Sequence, residues 1–304
     1  MSEQILDRTL EPVQRPATAP PPPATVGRRR RVRTAWLRHL GLIVFGLFML
    51  YPLLWMTVSA FKPSNLVLSD PSLIPSELTL DNFRQGWTSA NQPFWVFFGN
   101  SLVVAVSSIV GNLFSCSLTA YALARLEFRA RKLYFAIVLV SVMLPMHVVV
   151  IPQYIVFSQL DLVNTFVPLI LPKFLATDAF FIFLMVQFIR SIPRDLDQAA
   201  WLDGAGPFKT FWYVVLPLMR PALVTTAIFT FIWTWNDFFG QLIYLTESSV
   251  FTVPVALNSL VDSQSQSGIG MLLAMSVLTL LPILAFFVFA QKYLIQGIST
   301  TGLK

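Results

Sequence analysis

The sequence predicts an all-α polytopic membrane protein with six transmembrane helices and both termini in the cytoplasm. Three observations carry that expectation. Of 304 residues, 55% are hydrophobic and only 12% charged, with mean hydropathy +0.67, against roughly 25% charged in a soluble domain. The apolar residues come in long uninterrupted runs, not at the two-residue alternation of a barrel strand, so lipid is the solvent they expect and helices are the spanning structure. Lysine and arginine fall overwhelmingly on one side of those runs.

Residues 1–35 form a tail that is read as disordered. Pro12, Pro16 and Pro20 to Pro23 stand among Ala, Thr and Gln, a composition that cannot bury enough apolar surface to offset chain entropy. Arg28 to Arg31, Arg33 and Arg38 follow directly before the first apolar run. Next to a span, such a cluster contacts anionic lipid and fixes orientation, in preference to binding nucleic acid.

The first span, Leu40 to Ala60, holds 21 residues without a charge. That is too long for a signal-peptide core of about 7–15 residues, so it is read as uncleaved. Phe94 to Ala124 and Leu133 to Leu160 follow, the latter with His147 as its one ionisable side chain. Val163 to Ile189 is interrupted by Lys173 and Asp178, Pro221 to about Leu245 contains Asp237, and Ile269 to Gln291 is uncharged. Each reaches the roughly 20 residues that cross a bilayer as helix. Six spans put 18 of the 21 basic residues on the side of the termini and leave Lys62 and Arg84 in the opposite loops, which places the termini inside. Residues 36–304 therefore read as one six-helix domain.

The longest internal connection on the cytoplasmic side is 190–220. Ser191 is read as an N-cap with Pro193 just inside the helix start, Asp195 and Asp197 complement the helix dipole, and Gly204 ends a helix of about ten residues. Leu196, Ala199, Ala200 and Asp203 share one face by helical spacing. Gly206-Pro207 begins a second helix. The "GAGPFKT" of residues 204–210 is not a phosphate loop, because Phe208 and not glycine precedes Lys209 and no strand leads into it.

"QAAWLDGAGPFKTFWYVVLPLMRP", from Gln198, resembles the cytoplasmic EAA loop of ABC importer permeases, with Ala199, Ala200, Asp203, Gly204, Ala205, Leu216 and Pro217 in the matching places. "YPLLWMTVSAFKPS" from Tyr51, "LTLDNF" from Leu78, "WNDF" from Trp235 and "QKYLIQGISTTGLK" from Gln291 resemble the second permease of maltose-type carbohydrate importers. The resemblance implies the type I ABC importer permease fold in a bacterial or archaeal cytoplasmic membrane. It also implies a short helix docking on an ATPase subunit, with Asp197, Gln198, Ala199, Ala200, Asp203, Gly204 and Ala205 as the coupling residues. The implied partners are a homologous second permease, a dimer of ATPase subunits that carries ATP and Mg, and an extracytoplasmic solute-binding protein. This chain itself is expected to bind no cofactor. Where the family has glutamate the chain has Gln198, so a charge-assisted contact is replaced by a neutral hydrogen bond or taken over by Asp197. Glycerol-phosphate or polyamine import through a similar assembly, and an ATP-independent transporter or channel, are the competing functions.

Asp237 is placed about 16 residues into the fifth span, and an ionisable group at membrane depth points to function. With Trp235, Asn236 and Phe238 it makes a candidate solute path, since sugar faces stack on rings while hydroxyls take directional hydrogen bonds. A helix-locking hydrogen bond is the competing reading. Lys173 and Asp178 are five apart, too far round a continuous helix to pair; they either bind separate partners or Lys173 snorkels to the interface. Cys116 reads as a small buried side chain. His147 has no second histidine or cysteine near it to make a metal site, and no catalytic constellation is present. Pro145, Pro152, Pro168, Pro172 and Pro282 are expected to break or kink spans.

Overall fold

The computed structural model describes the backbone of residues 26–88, 92–262 and 268–301, and the side chains of residues 36–88, 92–261 and 268–291. Its contacts group the chain into two units, Met1–Pro52 and Leu53–Lys304. All regular elements among the described residues are helical. The first, α1, runs Val26–Ala60, so residues 26–35, expected within the disordered tail, continue the helix of the first span. Arginine is a good helix former, and a run of it at a span's end extends the helix instead of ending it. The rest of the tail lies outside the described residues.

After α1 the chain is clamped into a compact loop. Lys62 is buried and donates to the carbonyls of Asp70 and Ser72, both at 2.6 Å. The Asn82 amide, on α2 (Asp81–Thr88), donates to Ala60 O and Lys62 O at 2.9 and 2.6 Å and satisfies the carbonyls left open at the end of α1. The "FKPS" and "LTLDNF" stretches are thus two halves of one clamp.

The central element is α3, Phe94–Arg125. Its buried positions include Ser101, Ala105, Ser108, Gly111, Ser115 and Ala120, small residues that let neighbouring helices approach closely. It joins two cores. One gathers Tyr121, Phe181, Met185, Ile189, Phe211 and Val215; the other gathers Phe94, Phe97, Phe231, Trp235, Leu260 and Met275.

The expected third span is two helices, α4 (Arg131–Met143) and α5 (Met146–Gln159), bent by 105°. Leu144 is extended because it precedes Pro145, and the helix cannot continue through it. The fourth span is α6 (Val167–Phe174) and α7 (Ala179–Ser191), with Ala176 between them at φ 55°. Then come α8 (Asp195–Leu202), α9 (Pro207–Thr210), a π turn over Phe211–Val215 and α10 (Leu216–Leu218). From Pro207–Leu218 the chain bends by 74° into α11 (Arg220–Asn236). The fifth helix therefore stops at Asn236, short of the expected Leu245, and α12 (Phe239–Tyr244) and α13 (Val253–Asp262) follow. Last is α14, Ile269–Thr301. Among the described residues four segments are long and apolar enough to cross a membrane, and up to six if each bent pair is one span.

Candidate coupling segment and membrane cavity

The α7–α11 connection carries the first candidate site. Ser191 closes α7, donating its hydroxyl to Phe188 O, and does not cap α8. Ile192 is extended ahead of Pro193, so α8 starts only after Arg194, its N-cap, which makes no side-chain cap bond. The other end is as read from the sequence: Gly204 has φ +78°. Its N–H donates to Trp201 O at 3.0 Å, and Ala205 N–H donates to Ala200 O at 2.9 Å, the paired bonds of a Schellman stop. Leu196, Gln198, Ala199, Leu202 and Asp203 are exposed and Ala200 is half-buried.

Asp197 is the exception. It is 4% exposed, and its Oδ2 lies 2.9 Å from Arg125 Nε. Burial pushes its carboxyl above the ordinary carboxylate range, while Arg125 and then Arg194 pull it down. A carboxylate committed to its own chain cannot replace the family's glutamate toward a partner, which corrects that alternative; Gln198 stays exposed, as do Ala199, Leu202 and Asp203. Arg125 also donates from Nη2 to Ile192 O at 2.7 Å, and the Tyr121 hydroxyl donates to Pro207 O at 3.0 Å. The last turn of α3 therefore holds the connection before, within and after α8. In the sequence Tyr121 lay inside the second apolar run, which ends at Ala124, and Arg125 was counted only among the basic residues of the loop after it; the signal available was an arginine at a span's end and two acids, Asp195 and Asp197, in a connection on the same side.

The second site is a cavity of about 670 Å³ whose walls include Lys173, Asp178, Trp233, Asn236, Asp237 and Gln241. Lys173 and Asp178 do pair: Nζ lies 3.0 and 2.9 Å from the two carboxylate oxygens. The expectation that they could not meet assumed a continuous helix. Instead α6 stops at Phe174, Ala176 turns left-handed and Thr177 donates to Pro172 O, so the chain folds back on itself. Asp178 also accepts from Asn112 Nδ2 at 2.6 Å, which reaches Thr230 Oγ1 at 3.1 Å. This network ties α3, α7 and α11 beside the cavity.

Asp237 is not inside the fifth helix but at its C-cap, where Oδ1 accepts the Gly240 N–H at 3.0 Å. A Cβ on residue 240 would stand 2.5 Å from Asp237 Oδ2, so glycine is what lets the carboxylate close this turn. Asn236 lines the cavity and donates to Ile232 O. Trp235 does not: it is 3% exposed, stacks on Phe231 and donates its indole N–H to Thr279 O, which removes it from the candidate path. Phe238 is outside the cavity lining as well. The aromatic rings in the lining are Tyr244 and Trp233, the latter two residues earlier than Trp235 and so on the other side of the helix, where it meets Phe180 and Phe181. Gln241, unremarked in the sequence, spans Thr234 O and the Thr252 hydroxyl.

Comparison with known proteins decides what carries these two sites. The sequence profile of the binding-protein-dependent transport system inner membrane component family matches residues 111–300, from mid-α3 to the end of α14. The chain belongs to that family. It is similar to the arabinooligosaccharides transport system permease protein AraQ of Halalkalibacterium halodurans, 35% identical over 89% of this chain and 96% of that one. The diacetylchitobiose uptake system permease protein NgcG of Streptomyces coelicolor is 31% identical over 88% of each. The trehalose/maltose transport system permease protein MalG of Thermococcus litoralis is 30% identical over 91% of this chain and 99% of that one. These relatives agree with the maltose-type resemblance seen in the motifs. The fold is that of a chain from a bacterial ABC transporter involved in import of the acidic polysaccharide alginate, with TM-score 0.72 at 23% identity, covering 90% of this chain and 99% of that one. A second such transporter, in complex with an alginate pentasaccharide-bound periplasmic protein, matches at TM-score 0.60 and 16% identity over 86% and 93%. As a member of the family, this permease is a multi-pass membrane transport subunit and not an enzyme.

Proposed function

We propose that this permease forms one half of the membrane pathway of an ATP-driven importer of a sugar or oligosaccharide, and that α8 docks on an ATPase subunit. The observation that carries the reading is the open face of α8: a two-turn helix with Gln198, Ala199 and Leu202 exposed, stopped by a left-handed glycine and held at its back by Arg125. A helix that served only to connect α7 to α11 would have its apolar residues turned inward, yet Leu202 is 89% exposed. Movement of an ATPase subunit would reach α3 through Arg125 and Tyr121, and the cavity through Asn112. ATP and Mg belong on that subunit. A homologous second permease would close the pathway, and an extracytoplasmic solute-binding protein would deliver the solute. In the cavity, Trp233 offers a ring face and Asn236, Asp237 and Gln153 offer polar atoms, the combination a pyranose needs.

Ala200→Arg, tested on the purified permease pair, should lose the ATPase subunit and solute-stimulated hydrolysis, whereas Gln198→Glu should keep both. Full retention in Ala200→Arg would remove α8 as the docking element. The six-span orientation with both termini inside rests on the basic asymmetry. In a Cys116→Ala background, cysteines at Ile74 and Leu202, both more than 80% exposed, should label from opposite faces, Ile74 from outside. Labelling of both from one face would overturn the topology.

A further inference from the structure

We infer that Asp237 makes the membrane cavity a charge filter, admitting neutral and amino sugars and turning back anionic ones such as uronate chains. The inference rests on the reading that the cavity carries solute. Among its lining residues the acidic and basic side chains are Lys173, Asp178 and Asp237. The Lys173 ammonium is held against both Asp178 oxygens at 2.9 and 3.0 Å, and Asp178 accepts from Asn112 as well, so that pair presents no net charge to a solute. Asp237 receives the neutral Gly240 N–H and no cation within ion-pair distance among the described residues. One carboxylate is thus left over in a cleft with low-dielectric walls, the setting in which a single charge acts most strongly on what enters. One transporter that shares the fold is involved in import of an acidic polysaccharide, while relatives are named for arabinooligosaccharides and for trehalose/maltose, so the fold does not fix the charge of the cargo and the cavity's side chains are where it can be set. Selection at this point would act on whatever a solute-binding protein delivers, as a second and independent sieve.

The test needs no knowledge of the solute. Gln153 lines the same cavity, and Gln153→Cys in a Cys116→Ala background can be reacted with a cationic and an anionic methanethiosulfonate in the assembled complex. The exposed Ile74→Cys supplies the reference ratio of the two rates. The filter predicts a cation preference at residue 153 about tenfold or more above that reference. It should collapse to the reference ratio in Asp237→Asn and rise further in Lys173→Met, which uncovers the Asp178 charge. A ratio equal to the reference, as a protonated Asp237 would give, overturns the filter, and so does a preference that survives Asp237→Asn; both leave the solute path standing. If Gln153→Cys reacts with neither reagent while Ile74→Cys reacts with both, the cavity is closed to water and the solute-path reading falls with the filter.

Discussion

Arg125→Ala is expected to destabilise this permease by about 3–5 kcal/mol, the cost of leaving a buried carboxylate without its cation. Both side chains of the Arg125–Asp197 pair are nearly inaccessible, at 4% and 6%. The carboxylate left behind lies in a buried site, and Arg194 is the other cation acting on Asp197. The substitution also strips the Ile192 carbonyl of its donor. The thermal midpoint in detergent should fall, by about 2–4 °C for each kcal/mol in a chain of this size. Amide exchange over residues 195–202 should quicken, because α8 loses its attachment to α3. Arg125→Met combined with Asp197→Leu separates charge from shape: an apolar pair of similar volume removes the desolvation cost and should recover most of the midpoint. An unchanged midpoint and unchanged exchange in Arg125→Ala would show that the pair holds nothing.

What the sequence made legible was local. Gly204 announced a helix stop because a left-handed position favours glycine, and it has that conformation. The long apolar runs announced spans because no other structure hides so much backbone in lipid. What it concealed depended on where the chain stops being helical. Treating Val163 to Ile189 as one helix forbade the Lys173–Asp178 pair; the break at Ala176 creates it. Treating Pro221 to Leu245 as one helix put Asp237 in mid-span and Trp235 beside it on the path, whereas the helix ends at Asn236 and the two residues part, one to a turn at the cavity wall and one to the core. Asp197 shows the same limit in another form. By spacing it belongs to the first turn of an open helix, and only the tertiary position of Arg125, 72 residues earlier, turns it inward. Proline positions were informative about where breaks are possible but not about which of them occur: Pro145 breaks a span by 105°, while Pro152 and Pro282 lie inside continuous helices.

Gly204→Trp should abolish transport and solute-stimulated ATP hydrolysis together while leaving the chain inserted and folded. With φ at +78° any non-glycine side chain is strained there, at a cost of about 1–2 kcal/mol, which a domain with two separate cores can absorb. Apart from its chain neighbours, nothing among the described residues lies within 4 Å of where the new Cβ would stand, so a side chain starts from open space at the exposed end of α8, where a docking subunit would meet it. The thermal midpoint should thus move little while retention of the ATPase subunit is lost. Gly204→Asn tells bulk from backbone: asparagine tolerates the left-handed region better than other side chains and is small, so it should keep most of the docking. If Gly204→Asn loses the subunit as completely as Gly204→Trp, the partner tolerates no side chain at this position, small or bulky. Normal transport in Gly204→Trp would mean that no partner approaches this end of α8.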